Sequence, residues 1–178
     1  IFITDRITHG SFVTTLGLRH EDVDYWQYTD GASLDTQNNS QTMVAASTVY
    51  NMGNGKSAFA GYSQGYMPTG VSSIDPEESD NYEIGYRSRN ASGFMEVVAF
   101  YVDYDMLNET CGINAGCGNA DNGQENAGEA HSSGVEFTYK LNNLFPSTQM
   151  KGASDMTGIR YPLVFSATFQ ESERGVST

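Results

Sequence analysis

The sequence predicts an all-β protein in which about eight antiparallel strands run up and down in one sheet. Segments with apolar residues at every second position recur along the 178 residues, and clusters of Gly, Asn, Asp and Ser separate them. No segment of useful length has apolar residues at helical spacing. Because a period of two is the pattern of a strand with two different faces, we expect strands throughout.

The composition excludes some classes of protein. The chain has 11 Tyr, 9 Phe and 19 Gly with only 17% charged residues, which is typical of aromatic strands joined by flexible loops. Its formal net charge is -13 and it has nine Lys plus Arg, so it lacks the clustered cations that nucleic-acid binding needs. The chain has no apolar run of about 18 residues, so no membrane-spanning helix is predicted. A spanning β-strand needs only about 9 to 11 residues and is not excluded by this.

The clearest element is a hairpin over residues 81–104, with its turn at 90–93. Pairing Arg89 with Phe94 sets Arg87 opposite Glu96, and this pair of opposite charges favours that register. One face is then polar, and the other is apolar and rich in aromatic residues: Tyr82, Ile84, Tyr86, Val97, Ala99 and Tyr101. This apolar face must be covered by a core, a partner or lipid.

The remaining strands are predicted on either side of this hairpin, at 1–7, 12–28, 42–50, 57–66, 129–141 and 161–169. Residues 129–141 show the cleanest alternation, with Val135 and Phe137 on one face and Glu136 and Lys140 on the other. The pair Asn54-Gly55 favours a two-residue turn, which predicts Tyr50 opposite Phe59.

The breaks between strands alternate in length. Short breaks lie at 8–11, 53–56 and 90–93, and long polar breaks lie at 29–41, 69–78 and 108–128. All short turns therefore fall at one end of the sheet and all long breaks at the other, as in outer-membrane barrels. The connector at 142–160 is the exception, because it is long but falls at the short-turn end. This asymmetry predicts the antiparallel up-and-down strands of a transmembrane β-barrel, and the family resemblance described below implies that the eight or so strands here are a segment of a larger barrel.

The two cysteines, Cys111 and Cys117, lie in the longest break with five residues between them. A bridge within so short and flexible a loop is geometrically easy and would indicate an oxidising compartment. The alternative is two unrelated thiols. No second Cys or His pair lies near them, so a zinc site is not expected.

No residue pattern indicates catalysis or a bound cofactor. His9, His20 and His131 each stand alone on turn or strand positions, and none has a nucleophile or acid at a catalytic spacing, so we expect no enzyme activity and no cofactor. Acidic residues at 75–78 and 121–123 lack the spacing of an EF-hand. Ligand contacts are expected from the three long breaks, which contain no arginine, so either cationic contacts come from elsewhere or the ligand is not strongly anionic.

Five motifs, in family order, resemble successive strands of TonB-dependent outer-membrane receptors, and among these the ferric dicitrate and siderophore receptors. They are Leu-Gly-Leu-Arg-His-Glu at 16–21, Phe-Ala-Gly-Tyr-Ser-Gln-Gly-Tyr at 59–66, the stretch from Asp-Pro-Glu-Glu at 75–78 to Tyr-Glu-Ile-Gly-Tyr at 82–86, Ala-Phe-Tyr-Val-Asp-Tyr at 99–104 and Asn-Ala-Gly-Glu-Ala-His-Ser-Ser-Gly-Val-Glu at 126–136. The resemblance extends from residue 1 to about residue 173.

The resemblance implies a bacterial outer-membrane receptor that imports an iron chelate, either ferric citrate or a siderophore. Such receptors have a plugged barrel of about 22 strands. Residues 1–178 would be a partial barrel domain without the plug, and the start at Ile1 rather than Met suggests a piece of a longer chain. Partners would be the ferric chelate, outer-membrane lipid and, through the missing plug region, the TonB complex.

The resemblance also assigns the two faces of the strands. The apolar faces would meet lipid, and the polar faces would point into the lumen. The candidate lumen-facing residues are Arg19, Glu83, Arg87, Glu96, Glu136 and Lys140. The alternatives are an autonomous small outer-membrane barrel, a secreted β-sandwich that serves as an adhesion or binding module, and an enzyme on a β scaffold.

Overall fold

A computed structural model describes residues 1–29, 33–70, 74–110, 124–126, 128–142 and 162–175, and every regular element among them is a strand. Ten strands follow in chain order: β1 Phe2–His9, β2 Phe12–Thr29, β3 Ser33–Gly53, β4 Lys56–Met67, β5 Glu77–Arg89, β6 Gly93–Asp105, β7 Asn108–Thr110, β8 Gln124–Asn126, β9 Ala130–Leu141 and β10 Leu163–Arg174. Within these ranges there is no helix long and apolar enough to cross a membrane.

Eight of the strands form one antiparallel up-and-down sheet in the order β1-β2-β3-β4-β5-β6-β9-β10. The short strands β7 and β8 pair separately. The predicted fold class is therefore confirmed, and the sheet is open, with β1 and β10 at its edges. Open edges present unpaired backbone groups, so both are places where further strands can add.

The β5–β6 hairpin has the predicted register. Arg89 pairs with Phe94 and Arg87 pairs with Glu96. The Asn90 side-chain oxygen accepts hydrogen bonds from the backbone N–H groups of Ser92 and Gly93, at 2.9 and 3.0 Å. An Asn side chain that binds its own turn in this way holds the turn closed and with it the register of the whole hairpin.

The predicted pairing of Tyr50 with Phe59 is wrong. Gly53 pairs with Lys56, but Asn51 pairs with Ser57, so Met52 is an extra residue in β3 and the register shifts by one. Tyr50 therefore lies opposite Ala58 and contacts Phe12 of β2, with 4.8 Å between ring centroids. A β-bulge beside a tight turn moves every later pair, and the turn residues alone do not reveal it.

The predicted break at 29–41 is also wrong, because β2 and β3 continue as a paired ladder to Thr29 and Ser33. This outer part of the hairpin, residues 20–29 and 33–42, is called the arm below. Asn38 donates hydrogen bonds to Asp22 and Asp24, both at 2.8 Å. Strand β2 was predicted as far as residue 28, but the outer part of β3 was not, because residues 36–42 are all polar and lack the apolar alternation that predicts a strand.

The other long breaks are shorter than predicted. Strand β5 already begins at Glu77, and β7 and β8 lie within the predicted break at 108–128. The predicted connector at 142–160 lies outside the described residues apart from Asn142, and so do Cys111 and Cys117. Short turns at 10–11, 54–55 and 90–92 share one end of the sheet, and the two remaining long connections share the other.

The sheet has little core of its own. The hydrophobic residues buried among the described ones are Met43, Ile74 and Ala130, and none of the described side chains is less than 2% exposed. One side of the sheet, the inner face, carries a cavity of about 670 Å³ lined by residues of all eight strands, from Thr4 on β1 to Gln170 on β10. The sheet therefore curves around this face, and the opposite, outer face is convex.

Candidate ligand-facing wall and outer connections

All six residues predicted to share the polar face do lie on the inner face. Residues directly opposite each other on neighbouring strands share a face, and successive residues alternate. Arg87 pairs with Glu96, Glu96 with Thr138, and Glu83 with Phe100. On the same face, Glu136 pairs with Val98, Lys140 with Phe94 and Arg19 with Met43.

Two ion pairs lie on this face. Arg87 pairs with Glu96 across β5 and β6, and Arg19 pairs with Glu21 along β2. The Arg87 side chain is 46% exposed, so solvent screens its attraction to Glu96 and each pair contributes about 0 to 1 kcal/mol. The main effect of the two pairs is to hold the arginine side chains in place, since a guanidinium bound to a neighbouring carboxylate stays on the inner face.

Two inner-face carboxylates, Glu83 and Glu136, have no ion-pair or hydrogen-bond partner among the described residues. Val98 and Phe100 of β6 lie between the strands that carry them. Both carboxylates line the cavity of about 670 Å³. Charges that face a cavity without a counter-charge are satisfied by water or by cations of another segment.

Aromatic rings fill the places where glycines interrupt the inner face. The ring of Phe59 lies over Gly85, where an added Cβ would be 2.3 Å from it, and the ring of Phe100 lies over Gly134. The Arg87 guanidinium also lies over the Phe59 ring, 5.1 Å from the ring centroid. The middle strands are thus closely packed, whereas the wall of the cavity near β2 to β4 is made of small residues: Thr15, Gly17, Ala45, Ser47, Gly61 and Ser63.

The outer face carries most of the exposed apolar surface. A row of rings crosses four strands, with centroid distances of 5.1 Å for Tyr62–Tyr82, 6.3 Å for Tyr82–Tyr101 and 6.1 Å for Tyr101–His131. Large exposed side chains on the same face include Leu16, Leu18, Val44, Ile84, Val135, Tyr139 and Phe165. An apolar band bordered by aromatic rings is the pattern that meets lipid in membrane barrels.

Polar groups follow immediately above the aromatic row. The Tyr62 hydroxyl donates to Asp80 at 2.7 Å, and Asp80 pairs with Asp103 on the next strand. Farther out, burial raises the pKa of the Tyr66 phenol above its ordinary value, and the nearby Glu78 carboxylate raises it further. The outer face therefore changes within a few residues from apolar to acidic.

At this outer end, side-chain amides join connections that are far apart in the sequence. Asn126 of β8 forms hydrogen bonds with both backbone groups of Asp75 and with Asn108. Asn39 of the arm donates to the carbonyl of Thr69 at 2.8 Å. The sequence does not predict these contacts, because an Asn in a polar break has no spacing that reveals its partner.

No group of three or more His, Cys, Asp or Glu side chains within the described ranges is arranged to hold a metal ion. What the described residues do offer is a polar, charged inner face, an apolar outer face and an outer end in which connections contact one another. These features define a segment of a transmembrane β-barrel wall.

The comparison with protein families gives the particular class. The family model described as TonB dependent receptor-like, beta-barrel matches residues 1–175. The chain therefore belongs to the TonB-dependent receptor β-barrel family, which is a family of outer-membrane receptors and transporters and not of enzymes. No curated protein matches the chain.

Proposed function

We propose that this chain is part of the barrel wall of an outer-membrane receptor that imports an iron chelate, ferric citrate or a siderophore. The observation that carries the proposal is the family match over residues 1–175 together with the two unlike faces of the sheet. The outer face contacts lipid, and the inner face lines the path of the ligand. The chelate is cargo, and the chain performs no covalent chemistry on it.

The open edges support a larger barrel over an autonomous small one. Phe2 and Ile3 on β1 are 75% and 66% exposed, and Phe169 on β10 is 75% exposed. Strands with such apolar surface and unpaired backbone groups are stable when further strands continue the sheet. The rest of the polypeptide supplies these strands and a plug domain, which contacts the TonB complex.

The inner face supports a plug with cationic side chains. Glu83 and Glu136 face the cavity without a cation among the described residues, and Lys or Arg of the plug would neutralise them. Lys140 lies nearer the short-turn end, beside Arg89 and the Arg87–Glu96 pair around a second cavity of about 730 Å³. The six candidate lumen-facing residues would then position the plug as well as the ligand.

The first test is the intact mass of the native polypeptide from a detergent-extracted outer-membrane fraction. A mass several times 19.4 kDa supports the receptor, and a mass near 19.4 kDa means a self-contained small barrel, which would overturn the transport proposal. The second test is uptake of radiolabelled ferric citrate and of ferric siderophores by cells that express the polypeptide. Uptake should require both this polypeptide and TonB, and its absence for every ferric chelate would reject iron as the cargo.

A further inference from the structure

Three outer segments that are distant in the sequence meet in one hydrogen-bond network. The segments are the arm, the connection from β4 to β5, and the connection from β6 to β9, which contains β7 and β8. Two residues, Thr69 and Asn126, contribute most of the bonds.

Thr69 joins the arm to the β4–β5 connection. It is only 5% exposed, and its carbonyl accepts a hydrogen bond from the Asn39 amide at 2.8 Å. Its hydroxyl accepts from the Gln37 amide at 3.3 Å and donates to the carbonyl of Ile74 at 3.2 Å. Ile74 is also 5% exposed, so the two residues form a small buried contact on a sheet that has few buried residues.

Asn126 joins the same connection to β7 and β8. Its amide nitrogen donates to the carbonyls of Asp75 and Met106 and to the side chain of Asn108, and its oxygen accepts from the Asp75 N–H at 2.9 Å. The backbone N–H of Asn108 also donates to the Glu77 carboxylate at 3.2 Å. A single amide side chain therefore uses both its donor and its acceptor atoms to hold two connections together.

Ile74 and Asp75 are adjacent in the chain, so the bonds of Thr69 and those of Asn126 form one continuous path from the arm to β7 and β8. We propose that Thr69 and Asn126 are positioning residues that couple the described parts of the three outer segments, so that the hydrogen bonds of one part are lost together with those of the others. Hydrogen bonds that share buried residues open together rather than singly.

Amide hydrogen exchange tests the coupling, with the native polypeptide in outer-membrane vesicles and no ligand present. The variant Asn126→Ala removes every side-chain bond of Asn126. If the segments are coupled, exchange of residues 37–41 and of Thr69 accelerates about tenfold, although Asn126 contacts none of them. Faster exchange only at Asp75 and at residues 106–108 would show a local role for Asn126 and overturn the proposal.

A second pair of variants tests the path from its other end. Thr69→Val keeps the shape but removes the hydroxyl, and it should accelerate exchange of residues 106–108, whereas Thr69→Ser should restore the original rate. Unchanged exchange of residues 106–108 in Thr69→Val would also overturn the coupling. Asn142→Ala is the matched control, because it removes one amide bond to the carbonyl of Ala91, at the opposite end of the sheet. The measurement needs no ligand, so its result is independent of the proposed cargo.

Discussion

The two long hairpins of this sheet, β5–β6 and β2–β3, differ in what surrounds them. The β5–β6 hairpin lies in the middle of the wall, with an apolar outer face and a polar inner face. The outer half of β2–β3 is the arm, in which residues 36–42 of β3 are all polar and Trp26 of β2 is exposed. Alternation predicted the register of the first hairpin, whereas in the arm it predicted β2 to residue 28 and missed the outer part of β3. The difference shows that periodicity reports the contrast between two environments and not strand structure itself.

The largest expected effect is that of a charge on the outer face of the wall. Phe137→Arg places a guanidinium in the apolar band, where Phe137 now contacts Phe165 at 6.1 Å between centroids, and we expect a loss of about 2 to 4 kcal/mol in the free energy of unfolding. Equilibrium unfolding of the native polypeptide in lipid vesicles measures this loss.

Two substitutions serve as controls for Phe137→Arg. Ser40→Arg lies on the outer face of the arm, opposite Asp22, and should change stability by less than about 0.5 kcal/mol. Thr138→Arg lies on the inner face and should also be mild, because that face is polar. Equal losses for all three would mean that the apolar band does not meet lipid.

The next largest effect comes from close packing on the inner face. In Gly85→Ala the new Cβ would lie 2.3 Å from the Phe59 ring and 2.8 Å from the backbone oxygen of Val97, so the strands must shift, with a loss of about 1 to 3 kcal/mol. Gly17→Ala is the matched control, because its nearest neighbour would be the Ala45 side chain at 3.6 Å. Thermal unfolding of the two variants, side by side, checks the difference. If Gly17→Ala were as harmful as Gly85→Ala, the Phe59 contact would not be the cause.

A smaller effect is expected for the charge pair that set the predicted register. A double-mutant cycle with Arg87→Ala and Glu96→Ala should give a coupling energy of about 0.2 to 1 kcal/mol, because the pair is exposed to solvent. The coupling should fall as salt is raised from low to physiological concentration. A coupling that does not respond to salt would mean that packing, including the Arg87 contact with Phe59, dominates.

The smallest global effect is expected in the arm. Asn38→Ala removes the amide that separates Asp22 from Asp24 and binds both carboxylates, so amide exchange in the arm should accelerate. The free energy of unfolding should change by less than about 0.5 kcal/mol, since the arm adds little buried surface to the wall. Hydrogen exchange and equilibrium unfolding of the same variant measure the two quantities. A global loss as large as that of Gly85→Ala would show that the arm and the wall unfold together.

The sequence by itself determined the strands of the wall, their up-and-down order and the β5–β6 register. It did so because Tyr82, Ile84 and Tyr86 alternate with Glu83, Gly85 and Arg87, and a one-residue slip would exchange the environments of all six. The family resemblance came from motifs on those same strands, and the family match over residues 1–175 confirms it at the level of the receptor barrel.

Only the tertiary structure decided the bulge at Met52, the outer part of β3 and the joining of the outer connections. The bulge depends on how β3 meets two neighbours, since Tyr50 lies against Phe12 as well as opposite Ala58. The hydrogen bonds of Asn126 and Thr69 connect residues that are far apart in the chain. The spacing of polar residues within a polar segment does not predict which distant residue such a side chain will bind. Hydrophobic periodicity is a property of neighbouring residues, whereas these hydrogen bonds exist only once the sheet has brought distant segments together.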